Sequence, residues 1–136
     1  MVEPARQGQA GSLAGKNNTS GNMNLNYSPV ADARGRLLKW LNQFRKRSGV
    51  YVIRKPGLLF QTVLYVGESH TNNLKKTILR HFQKWTGKTA GPTYARTKVE
   101  LAVISCKSEE AVELQNKVIG QLNPQDNIKR ESENPF

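Results

Sequence analysis

Two β-rich runs separated by turn chemistry constrain this chain most. Val50-Tyr51-Val52-Ile53 and Thr62-Val63-Leu64-Tyr65-Val66 are dense in β-branched and aromatic residues, with Lys55-Pro56-Gly57 between them. Such residues suit a pleated surface, and Pro-Gly interrupts regular structure, so the runs read as a hairpin. Val99 to Cys106 is a third, near-continuously apolar run, as expected of a buried strand. Apolar residues at helical spacing surround these strands. Leu37, Leu38, Leu41 and Phe44 follow Asp32, which has N-cap chemistry. Leu74, Ile78, Phe82 and Trp85 follow the capping residues Thr71-Asn72-Asn73. Ala111, Leu114, Val118 and Leu122 follow Ser108 and two acids that favour a helix start, and Pro124 ends the pattern. The order α, β, β, α, β, α predicts an α+β fold: a small three-stranded, mainly antiparallel sheet flanked by helices, with an extra N-terminal helix.

Composition divides the chain further. Residues 1–31 are rich in Gly, Asn and Ser without a sustained period and read as a disordered leader. Residues 32–48 read as a basic amphipathic helix, with Arg36, Lys39, Arg45, Lys46 and Arg47 on its polar surface. The main domain spans 49–128, and 129–136 read as a polar tail.

The formal charge of +11 is unevenly spread. Residues 34–100 hold 15 Lys and Arg against Glu68 and Glu100 alone, whereas 101–136 hold four against six acids. A positive field confined to the middle points to a polyanion: nucleic acid first, an anionic membrane surface second. No apolar run approaches the roughly 18–20 residues that span a bilayer, and the N-terminus has no apolar signal core, so neither a spanning segment nor a secretory signal is expected. Of the two polyanions, nucleic acid is the expected partner, with no membrane. Cys106 is the single cysteine, so it has no disulfide partner within the chain, and with only His70 and His81 it builds no Cys-rich zinc site. The expectation is a buried thiol in a reducing, cytoplasmic compartment.

The hairpin carries matching triplets, Gly49-Val50-Tyr51 and Tyr65-Val66-Gly67. Paired strands bring the two phenols near one another, and glycine lets another backbone or a phosphate approach closely. Two strand tyrosines packed on a core would give the same local pattern. The triplets are joined by Arg80-His81-Phe82 at the end of a basic helix, and by Pro124 and Asn127 after the last helix. With this ordered set, residues 48–128 resemble the GIY-YIG nuclease superfamily, which is named for the triplets. The resemblance implies phosphodiester hydrolysis in nucleic acid, DNA favoured over RNA, at one Mg²⁺ or Mn²⁺. It implies catalytic roles for Tyr51, Tyr65 and His81, an arginine that stabilises phosphate charge, and a helical glutamate that holds the metal. A guanidinium and a hard cation aimed at phosphate oxygens lower the barrier where charge develops.

Two positions depart from the family pattern. Anchored on Pro124 and Asn127, the glutamate position falls on Gln115; anchored on His81-Phe82, the arginine position falls on Thr77, with Arg80 the nearest arginine. An amide oxygen can ligate Mg²⁺ but lacks the charge of a carboxylate, so Glu68, directly after the second triplet, is the alternative metal ligand. Arg80 is the catalytic arginine, or else Lys76, Arg80 and Lys84 form a solvated stripe. Lys76, Lys84, Lys88, Arg96, Lys98 and Asn127 are the expected nucleic-acid contacts. Leu58, Leu59 and Phe60 lengthen the hairpin loop and either pack on the N-terminal helix or form a partner surface. The expected function is a metal-dependent endonuclease; the alternative is a nucleic-acid-binding module on the same fold that has lost cleavage.

Overall fold

The computed structural model describes residues 24–83 and 92–127. Most of the expected leader, Lys84, Trp85, Lys88 and the polar tail lie outside the described residues. The fold is α+β, built on four antiparallel strands: β1 (Ser28–Pro29), β2 (Gly49–Lys55), β3 (Thr62–Ser69) and β4 (Glu100–Ser105). Their order across the sheet is β1-β4-β2-β3, so β2 is central and β3 forms an open edge. Two α-helices, α1 (Leu74–Leu79) and α2 (Ala111–Leu122), accompany 3₁₀ turns at Lys39–Phe44, Arg80–Phe82 and Ser108–Glu110. No helix among the described residues is long and apolar enough to cross a membrane.

Alternation along β2 separates two cores. Tyr51 and Ile53 face one side, where Leu41, Phe44, Leu74 and Ile78 cover them. Val50 and Val52 face the other, together with Val66, Ala102 and Val118 of α2. The first five residues of β2 are buried, which is why the run is apolar on both faces.

Three expectations change. Residues 32–48 do not form one amphipathic helix; only Lys39–Phe44 is helical, and it is 3₁₀. Asp32 Oδ1 accepts the backbone N–H groups of Arg34 and Arg36, both at 2.9 Å, which offers the backbone a turn instead of a helix. Gly35 takes a φ of +83°, and Ala31 bridges Leu37 to close the turn. Leu41 and Phe44 still enter the core, as their three-residue spacing suits a 3₁₀ turn. Order also begins before Asp32. Ser28–Pro29 pairs with Leu101 and Glu100 to give the sheet a fourth strand, and Val30 is fully buried. Pro29 is tolerated because β1 is an edge. Finally, Cys106 lies just past the end of β4 and is half-buried; burial pushes its thiol above the usual range.

Candidate functional site

The register of the hairpin builds the site. Tyr51 pairs with Gly67 and Ile53 with Tyr65, so both tyrosines face the α1 side of the sheet. A Cβ at Gly67 would run into the Tyr51 phenol, so the second triplet needs glycine to let that ring lie across β3. The Tyr51 and Tyr65 ring centroids are 6.3 Å apart. His81, carried by the 3₁₀ turn that ends α1, closes the group at 5.5 Å from the Tyr51 ring and 4.8 Å from the Tyr65 ring.

Hydrogen bonding fixes the imidazole. His81 Nδ1 lies 2.7 Å from the Pro92 carbonyl, which can only accept, so Nδ1 carries a proton. In the neutral ring Nε2 is then an acceptor, and the Tyr51 hydroxyl, 2.7 Å away, donates to it. Tyr51 and His81 are each 2 % exposed and Tyr65 is 8 % exposed. The backbone N–H of Tyr94 donates to the His81 carbonyl at 2.7 Å, so residues 92–94 strap the turn from both sides. Tyr94 also packs its ring 6.4 Å from His81 and donates its hydroxyl to Asp126 Oδ2 at 2.5 Å. Burial, then the bond and charge of Asp126, raise the Tyr94 phenol well above the ordinary tyrosine range.

Pro92, Tyr94 and Asp126 are site residues that the sequence reading passed over. The first two sit in a stretch of loop composition. Asp126 carried one signal, its place directly before Asn127. Asn127, one of the expected nucleic-acid contacts, has its carboxamide engaged by the backbone of the edge strand. Its carboxamide accepts the Val66 N–H at 2.7 Å and donates to the Val66 carbonyl at 2.9 Å. These groups point outward from the edge strand β3, where no further strand among the described residues satisfies them. Asn127 thereby brings the chain from α2 to the edge of the sheet, and Asp126 reaches the tyrosine side.

The other expected site residues are dispersed. Lys76, Arg80 and Lys98 are exposed, with Lys76 and Arg80 one helical turn apart. Arg80 directly precedes buried His81 and is itself exposed. Thr77 is half-buried, and its hydroxyl donates to the Asn73 carbonyl at 3.0 Å. Arg96 donates to two main-chain carbonyls, Gly35 at 3.1 Å and Phe82 at 3.4 Å, and so holds loops together.

The two expected metal ligands lie on the opposite side from the phenols. Gln115 is four residues after Ala111 and three before Val118, both buried, so it shares their face of α2, which packs on Val50, Val52 and Val66. Glu68 pairs in register with Val50, which places it on that same side, and it bonds His70 Nδ1 at 3.1 Å. Among the described residues, no three His, Cys, Asp or Glu side chains gather as a metal site. The donor set at Gln115 and Glu68 therefore does not fit a metal that serves Tyr51. No family model, curated protein or solved structure matches this chain.

Proposed function

We propose that this chain is a nucleic-acid-processing domain of the GIY-YIG type that hydrolyses phosphodiester bonds, with DNA favoured over RNA. The observation that carries this reading is the bond from the Tyr51 hydroxyl to an acceptor Nε2 on an imidazole whose other nitrogen is already bound. A phenol with an ordinary pKa of about 10 is a weak base at pH 7 until another group takes its proton. His81 is placed to do so. As water attacks phosphorus, Tyr51 passes its proton to Nε2 and accepts one from the water, and the Pro92 carbonyl holds the resulting imidazolium. Arg80, exposed and next in sequence to His81, is the guanidinium assigned to phosphate charge. Mg²⁺ or Mn²⁺ is the cofactor that the family resemblance implies. The lone thiol fits a reducing, cytoplasmic setting.

A second reading, a binding module without cleavage, is favoured by the near-complete burial of Tyr51 and His81. Nicking of supercoiled plasmid with Mg²⁺ or Mn²⁺, beside gel-shift binding, separates the two. Hydrolysis predicts that Tyr51→Phe lowers nicking at least 100-fold with binding within about twofold of wild type. Binding by both proteins with nicking by neither selects the second reading.

A further inference from the structure

The tip of the β2–β3 hairpin exposes three large apolar side chains in a row. Leu58 is 97 % exposed, Leu59 83 % and Phe60 79 %. At these exposures they do not pack on the described residues of the N-terminal segment. The tip has a defined shape, because a Cβ at Gly57 would collide with the Phe60 carbonyl oxygen. The chain therefore folds back at Gly57 onto Phe60, with Leu58 and Leu59 at the apex and Pro56 restricting the approach. A preshaped apex loses little conformational freedom when it meets a partner. Between Asp32 and Glu68 the sequence has eight Lys and Arg and no Asp or Glu; of these Arg36 pairs with Asp32 and Arg54 with Glu100 of β4, while Lys55 at the base of the tip is exposed.

Exposed apolar side chains beside the Lys55 cation, on a chain of formal charge +11, suit a partner with a polyanionic exterior and stacked apolar faces inside. We infer that Leu58, Leu59 and Phe60 form a wedge that enters the base stack of the bound nucleic acid, with Lys55 on the adjoining phosphate. Leu and Phe are side chains that DNA-bending proteins insert between base steps, where unstacking is offset by the added contact surface. This deepens the proposed function and rests on its nucleic-acid reading. It assigns a substrate preference: sites where stacking is already weakened, such as bulges and mismatches. Tyr51 precedes the end of β2 by four residues, about 13 Å of strand, or about four base steps at 3.4 Å each.

The test compares wild type with the triple variant Leu58→Ala, Leu59→Ala, Phe60→Ala on a perfect duplex and on one with a two-base bulge, each carrying 2-aminopurine. Exposed tip residues leave the core intact, and circular dichroism checks this. Wild type is expected to bind the bulged duplex at least tenfold more tightly and to raise 2-aminopurine fluorescence. The variant is expected to lose both effects while keeping the same salt dependence, because its phosphate contacts remain. Equal affinity and fluorescence in the two proteins overturn the wedge and leave the nucleic-acid reading standing. Wild type that binds neither DNA nor RNA removes both. Two other results also overturn the wedge: tip-dependent co-sedimentation with phosphatidylserine vesicles without any effect on DNA, or a tip-dependent dimer in sedimentation analysis.

Discussion

Gly67 and Tyr51 show how much a single register can decide. The triplets were legible because antiparallel pairing of two short runs leaves few ways to oppose Tyr51 and Gly67, and the observed pair is one of them. Gly67→Ala should destabilise the domain by about 1–3 kcal/mol, since the added methyl meets the Tyr51 phenol in a filled core. Urea unfolding checks this; an unchanged midpoint would mean that the ring has room to move. Gln115 was legible as a half-buried polar residue on the sheet-facing side of a helix, but the sequence could not say which side of the sheet that helix covers. Its place beside Val118 leads to a second prediction. Gln115→Glu should change plasmid nicking by less than twofold, because the new carboxylate lies across the sheet from Tyr51 and Tyr65. A tenfold gain would place the metal at Gln115 and contradict this geometry.

Elements were read well where apolar periodicity was long and poorly where side chains compete with the backbone. α2 follows its Ala111, Leu114, Val118, Leu122 stripe and ends at Asn123, which has a left-handed φ of 51°, just before Pro124. Asp32 misled because a residue with cap chemistry can equally bind its own downstream N–H groups, and here Gly35 makes that turn possible. β1 was missed because two residues carry no period, and what holds it lies far away in sequence. Tyr27, next to β1, places its ring 3.7 Å from the Arg54 guanidinium, and Arg54 Nε also bonds Glu100 of β4 at 2.7 Å. Burial first, opposed by Arg54 and assisted by Glu100, raises the Tyr27 phenol from 10.0 to about 12. The unfolded chain therefore loses this proton first. The stabilisation is complete below pH 10 and is lost as pH rises through the folded value, with Tyr94 shifted in the same direction. Tyr27→Phe should fall less steeply in thermal stability between pH 10 and 12 than wild type does. Equal slopes would mean that the β1 contact does not form.

At the scale of the molecule, the sheet separates two chemistries. On one side α2 packs on valines, with Glu68 and Gln115 nearby; on the other, three tyrosines gather around one histidine. Composition gave the basic middle of the chain, but not this division, because which residues share a side depends on how the helices return to the sheet. Three distant segments meet at His81: the hairpin through Tyr51, the 92–94 strap through Pro92 and Tyr94, and the end of the described chain through Asp126 on Tyr94. The proposed chemistry depends on the tautomer that this convergence imposes. The chain has two histidines, so a long-range ¹H–¹⁵N correlation spectrum of the imidazoles, assigned with a His70→Gln variant, reads it directly. At pH 8 His81 is expected as the neutral ring with hydrogen on Nδ1, with a change in the Nε2 resonance in Tyr51→Phe. A His81 ring protonated on Nε2 and bare at Nδ1 would leave Tyr51 no base to give its proton to, and would contradict the account.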